Sequence, residues 1–177
     1  MTPIYGISGA HKRTATDLRA LPHVVVYDPH LTVGLPPDVT ATSGFNALAH
    51  GVEALYAPGI SPLVALQAEE AIRSLCGALP AAVASPGDLV ARGWALYGSY
   101  LAGAALAVAG TALHHTLCHV LAGTFGLDHA ATHAVMLPYV AAFNAAAAPE
   151  AMTCVAVSLG GRPDPALAAP LLHELAV

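Results

Sequence analysis

From Pro37 to the end of the chain, apolar positions recur at the three- and four-residue spacing of helices, and what interrupts them is Gly, Pro and Asp rather than runs of charge. The expected breaks fall at Ala57-Pro58-Gly59, Ser85-Pro86-Gly87, Gly126-Leu127-Asp128, Pro149 and Gly160-Gly161, which predicts five or six helices. Ahead of them, Pro3 to Ile7 and His23 to Tyr27 (HVVVY) are short β-branched or aromatic runs and read as strands. The fold class is therefore mainly α: a helical bundle with one or two short N-terminal strands. On the helix spanning Ser61 to Ala84, Gln67, Glu69, Glu70 and Arg73 mark one solvated face. Asp164 followed by Pro165 is the pattern of an N-cap with proline at the first helical position, opening a last helix through Leu171 to Leu175.

The stretch from Gly93 to Thr116 has no Asp, Glu, Lys or Arg and is long enough to span a bilayer. Its Ala and Gly content, and the two imidazoles of His114 and His115 at its end, favour a buried helix of a soluble protein instead. Composition sharpens this picture. Only 10% of the 177 residues are charged, 56% are hydrophobic and the mean hydropathy is +0.62, which implies apolar surface meant for another domain or subunit. The net charge of −5 and six scattered basic residues exclude an electrostatic footprint for nucleic acid or an anionic membrane. Cys76, Cys118 and Cys154 form no CxxC pair, and MTPIYGISGAHKRT lacks the form of a secretory signal, so a reducing cytoplasm is expected.

The chemistry-bearing residues are imidazoles. In Thr42–Glu53 (TSGFNALAHGVE) the first residues are cap formers and the rest continues helically, so Asn46 and His50, four apart, share a face. His115 and His119 repeat that spacing in LHHTLCH, and His129 follows a glycine-containing turn. Several imidazoles at helical spacing in apolar surroundings need a use, because imidazole is both a common metal ligand and a proton donor near neutral pH. Asn46, His50, His115 and His129 could ligate a metal, although spacing identifies neither the ion nor a reaction. His11, His23, His30, His114, His133 and His173 read as ordinary core or surface residues, with His133, four residues past His129, placed to join the same pocket.

Two long segments, DPHLTVGLPPDVTATSGFNALAHGVEALY and HHTLCHVLAGTFGLDHAATHAVMLP, resemble the signature regions of the iron-containing alcohol dehydrogenases, a family with a dehydroquinate synthase-like fold. That resemblance implies an all-helical second domain facing an N-terminal α/β domain that binds the nicotinamide cofactor. Residues 1–35 would then link to the nucleotide-binding domain, itself absent from this chain, and 36–177 would form the helical substrate and metal-site domain, truncated at its C-terminus. No G-x-G-x-x-G element occurs in the chain. The family's aspartate and three histidine ligands fall on Asn46, His50, His115 and His129. The first is a departure, since a neutral amide oxygen replaces a carboxylate and lowers affinity for a divalent metal.

Asn46, TPIYGI, the KRT run and the double histidine of HHTLCH make the chain similar, within that family, to the maleylacetate reductases. The implied reaction is reduction of the carbon–carbon double bond of maleylacetate to 3-oxoadipate by NADH or NADPH, in breakdown of aromatic compounds. The resemblance further implies His119 and His129 at the nicotinamide and substrate, His50 and His115 completing the polar cluster, and Asn46 donating a hydrogen bond. It places Lys12 and the segment Leu31 to Leu35 near the cofactor and implies a homodimer for the full-length enzyme. A dicarboxylate substrate calls for cationic anchors, yet none of Arg13, Arg19, Arg73, Arg92 or Arg162 lies inside the histidine motifs. A metal-dependent (iron or zinc) alcohol dehydrogenase and a non-catalytic helical interaction module are the alternative readings.

Overall fold

The computed structural model describes residues 4–7 and 13–177. Strand β1 (Ile4–Ile7) pairs antiparallel with β2 (Arg13–Thr16), Ile4 opposite Thr16. The second predicted strand is a correction: His23 to Tyr27 is irregular, with Val24 79% and Val26 82% exposed. No described strand lies beside HVVVY to receive its backbone hydrogen bonds, and β-propensity expresses itself only against a neighbour. The segment ends in a 3₁₀ turn at Pro29–Thr32, capped by the Asp28 carboxylate, which accepts from the His30 N–H at 2.9 Å.

Seven α-helices follow among the described residues, rather than five or six: α1 (Pro37–Ala54), α2 (Pro62–Ala84), α3 (Leu89–Ala109), α4 (Leu113–Phe125), α5 (His129–Asn144), α6 (Pro149–Ser158) and α7 (Ala168–Ala176). Local chemistry sets their starts. Ser61, Asp88 and Asp128 accept backbone N–H bonds in the first turns of α2, α3 and α5. Proline opens α1, α2 and α6. Asp164 caps a 3₁₀ turn (Pro165–Leu167) that runs into α7, as the Asp-Pro pair predicts. Helix α1 begins at Pro37, so Thr42 and Ser43 are interior rather than capping residues. Their hydroxyls donate to the carbonyls of Asp38 (2.8 Å) and Val39 (2.6 Å).

The stretch from Gly93 to Thr116 is also corrected, because it is not one helix. Gly110 adopts φ 79°, a conformation that L side chains resist, and α3 and α4 meet there at 100°. No single described helix is long and apolar enough to cross a membrane. The bend returns the start of α4 to α1, the central helix, which packs on α2, α3 and α5. Leu48, Val52, Ile72, Leu75, Leu137, Met152, Val155 and Leu172 are fully buried and join these elements in one core. Helices α2 and α3 approach closely at Gly98, where a Cβ would lie 2.8 Å from Cγ of Leu75.

Candidate active site

Helix α4 has no side-chain cap of its own, and Ala112 occupies its N-cap position. The missing acceptor comes from α1. Glu53, fully buried, accepts from the backbone N–H groups of Ala112 (3.1 Å), His114 (2.7 Å) and His115 (3.3 Å) through Oε1. Its Oε2 accepts from Nδ1 of His115, and Tyr56 donates to Oε1 at 3.3 Å. A carboxylate at a helix N-terminus satisfies orphan donors and complements the helix dipole. Burial works against the Glu53 charge, but the His115 hydrogen bond and its charge outweigh it and hold the carboxyl below its usual range. The same burial, with Glu53 alongside, raises the Tyr56 phenol well above its ordinary range.

With Nδ1 of His115 committed to Glu53, its Nε2 faces the interior and is buried without a partner. Around it stand five more imidazoles. His50 stacks on His115 at 4.7 Å between centroids, His133 lies 4.4 Å from His115 and 4.5 Å from His129, and His119 stacks on His129 at 5.4 Å. His114 bonds His133, Nε2 to Nδ1, at 2.9 Å, which leaves Nε2 of His133 buried and unpartnered. Burial, reinforced by neighbouring imidazoles, lowers His50 to about 3 and His133 to about 2. His114 falls to about 4, mainly by burial. These three rings are neutral at physiological pH. Burial pushes the Cys118 thiol, packed against His114, up to about 11, so it is no thiolate nucleophile.

A cavity of about 340 Å³ opens beside this cluster. Asn46 and His50 line it from α1, Leu79 from α2, Arg92 and Ser99 from α3, and Thr32 and Leu35 from the turn before α1. The volume lies in the range of small-molecule sites. Three of its lining residues carry a buried polar atom with no partner: Oγ1 of Thr40, Oδ1 of Asn46 and Nη2 of Arg92.

The structure thus brings together His50, His115, His119 and His129 in one cluster and puts Asn46 and Leu35 on the adjoining cavity. Leu31 is 82% exposed and does not line the cavity, and Lys12 lies outside the described residues. His114, Cys118 and Glu53 are the residues that sequence reasoning left out, while His133 stands against His115 and His129, in the pocket that its place four residues past His129 suggested. The available signal for Glu53 was a carboxylate three residues after His50, among the apolar residues that end α1. Among the described residues, His119, His129 and His133 offer ligand atoms within 4.8 Å of one another, as do His114, Cys118 and His133; His50, His115 and His129 do not form such a group. The implied metal positions therefore supply neutral donors only, one of them an amide, and the nearest carboxylate, Glu53, is committed to α4. They do not fit a tightly held divalent ion.

Helical architecture and imidazole site define a class. Residues 40–174 match the family described as "Fe-containing alcohol dehydrogenase family, C-terminal", and the chain belongs to that family. Within it, the chain is 53% identical over 99% of its length to maleylacetate reductase 2 of Cupriavidus pinatubonensis and 51% identical over its whole length to the maleylacetate reductase of Sphingobium indicum. It covers 49% of each, so it spans about half the length of the curated relatives it matches. The crystal structure of maleylacetate reductase from a Rhizobium strain superposes with a TM-score of 0.92 at 43% identity, covering 99% of this chain and 49% of that one. The iron-containing alcohol dehydrogenase from Corynebacterium glutamicum superposes at 0.91 with 44% identity and the same coverage.

Proposed function

We propose that the chain is the helical, site-bearing part of an NAD(P)H-dependent maleylacetate reductase acting in aromatic-compound breakdown in the cytoplasm. Residues 36–177 form the substrate domain, and residues 1–35 lead to a nucleotide-binding domain in a homodimeric enzyme. The observation that carries this reading is the imidazole cluster, fixed by Glu53 and opening through His50 onto a cavity lined by Asn46. Identity near one half to maleylacetate reductases along the whole chain supports it.

The nicotinamide, when bound, supplies a hydride. The apolar wall of Leu35, Ala47 and Leu79 suits its flat ring, while the chain contains no phosphate-binding glycine motif for the rest of the dinucleotide. Reduction places hydride on the carbon β to the ketone, moves the double-bond electron pair toward the ketone oxygen as an enolate, and ends with a proton on the α carbon. His119 and His129, nearest the cluster's exposed edge, supply that proton, and Glu53 fixes the buried ring of His115 beside them. Neutral His50 and His133 keep the pocket free of competing charge. No step requires a metal.

The test is NADH oxidation with maleylacetate by this chain together with a separately expressed nucleotide-binding domain, with and without chelator. Turnover that survives chelation and falls by about a hundredfold or more in His119→Ala is expected for loss of a proton donor. Absence of turnover from a stable complex of the two parts sinks the reading and leaves an interaction module. Loss of turnover to chelator returns the reaction to a metal-dependent alcohol dehydrogenase, with His119, His129 and His133 as its nearest donor group.

A further inference from the structure

Arg92 is only 3% exposed, yet it forms no ion pair with any described carboxylate. The other described arginine side chains are on the surface: Arg19 and Arg73 are paired with Asp17 and with Glu69 and Glu70, and Arg162 is exposed. The Arg92 Nε donates to the carbonyl of Pro86, which fixes the guanidinium plane, and Nη2 is buried and unpartnered on a side chain that lines the cavity. A buried cation of this kind is costly unless an anion completes it. Asp88, the nearest acid in sequence, spends its carboxylate on the Val90 and Ala91 N–H groups at the start of α3.

Two other residues that line the cavity carry an atom in the same condition, Oγ1 of Thr40 and Oδ1 of Asn46. The threonine hydroxyl can donate, and rotation of the Asn46 amide presents its NH2 group in place of the oxygen. One guanidinium edge and two adaptable donors around one cavity form a receptor for a planar oxyanion. His50 lines the same cavity and stacks on His115, so an anion held at Arg92 extends toward the imidazoles.

We propose that Arg92 is the carboxylate anchor of the site: it holds one end of a small dicarboxylate in the cavity, with Thr40 and Asn46 completing the oxyanion contacts and the remainder of the ligand directed at His50 and His115. This rests on the dicarboxylate-reductase reading above. It also supplies the cation that the histidine motifs lack.

The test uses the chain labelled with ¹⁵N in arginine and titrated with maleate and with its monomethyl ester, following the Nε–H signals by NMR. One signal, assigned by its loss in Arg92→Lys, is expected to shift saturably with maleate. Affinity should fall by about tenfold or more both for the ester and for Arg92→Gln, the scale of losing one charged hydrogen-bond pair. Maleate binding that leaves the Arg92 signal unmoved, or no saturable binding by the unaltered chain, overturns the anchor. The comparison of maleate with its ester is read on the unaltered chain, and Arg92→Lys, which keeps the charge and the stem, supplies the assignment, so an Arg92→Gln that fails to fold does not blunt the test. The two readings fail differently. Reductase turnover with an unraised KM in Arg92→Gln removes the anchor and keeps the reductase, whereas maleate binding at Arg92 without any turnover of maleylacetate keeps the anchor and removes the reductase.

Discussion

Glu53 is the residue on which the site depends, because it serves two helices at once: it belongs to α1 and supplies the N-terminal acceptor of α4. Glu53→Ala would strand three backbone donors and His115 Nδ1 together, and a loss of about 3 to 5 kcal/mol is expected in chemical denaturation, as for a broken buried pair. Glu53→Gln, which keeps an acceptor without the charge, should lose less. Equal midpoints for Glu53→Ala and the unaltered chain would show the carboxylate to be idle. Asn46 makes the opposite prediction, a gain. Asn46→Asp adds an anionic donor beside His50 and should raise ferrous or zinc affinity by about tenfold or more in equilibrium dialysis. An unchanged affinity would put any metal contact at His119, His129 and His133 instead. The imidazoles at i,i+4 were legible because helical spacing alone sets a shared face. Glu53 and His114 were not, because their roles arise from the meeting of α1, α4 and α5, which no local pattern encodes.

Among the elements, the breaks were legible wherever the local backbone decides. Proline, glycine and Asp caps act within a few residues, and every break expected from them separates two helices. Two elements were misread for non-local reasons. HVVVY has the composition of a strand and no described partner, and the apolar run from Gly93 carries its only interruption in Gly110. Close packing of α2 on α3 was likewise invisible in sequence, since Gly98 there reads as one more small residue. A side chain at Gly98 meets Leu75 Cγ at 2.8 Å and the Ala71 carbonyl oxygen at 3.2 Å. Gly98→Val should therefore cost about 1 to 3 kcal/mol by overpacking, read as a lowered thermal midpoint. A midpoint within error of the unaltered chain would mean that the two helices separate freely. Because Arg92 stands about 1.7 turns before Gly98 on α3, the same substitution should also weaken maleate binding.

For the whole molecule, the buried imidazoles couple stability to acid. His50, His114 and His133 are neutral in the folded state, at about 3, 4 and 2, against an ordinary histidine value of 6.5. A depressed histidine leaves the unfolded chain binding the proton first as pH falls, so stability is fully present well above about 6.5 and is lost on acidification. Glu53 acts with the same sign at lower pH, since its depressed carboxyl is ionised in the fold while the unfolded carboxyl already takes a proton. Three such rings give a slope of at most about 4 kcal/mol per pH unit between pH 6 and 4, comparable over that range with the whole stability of a domain. Denaturant midpoints measured at pH 7.5, 6.5 and 5.5 should therefore fall by the equivalent of about 1 kcal/mol between the first two and about 3 kcal/mol more at the third. His133→Asn, which removes one ring from the cluster and keeps a polar side chain, should shallow the fall by about a third of the slope. A profile flat to pH 5 would require the imidazoles to be charged or solvated in the fold, and the dry, neutral pocket drawn for hydride transfer would then be wrong as well.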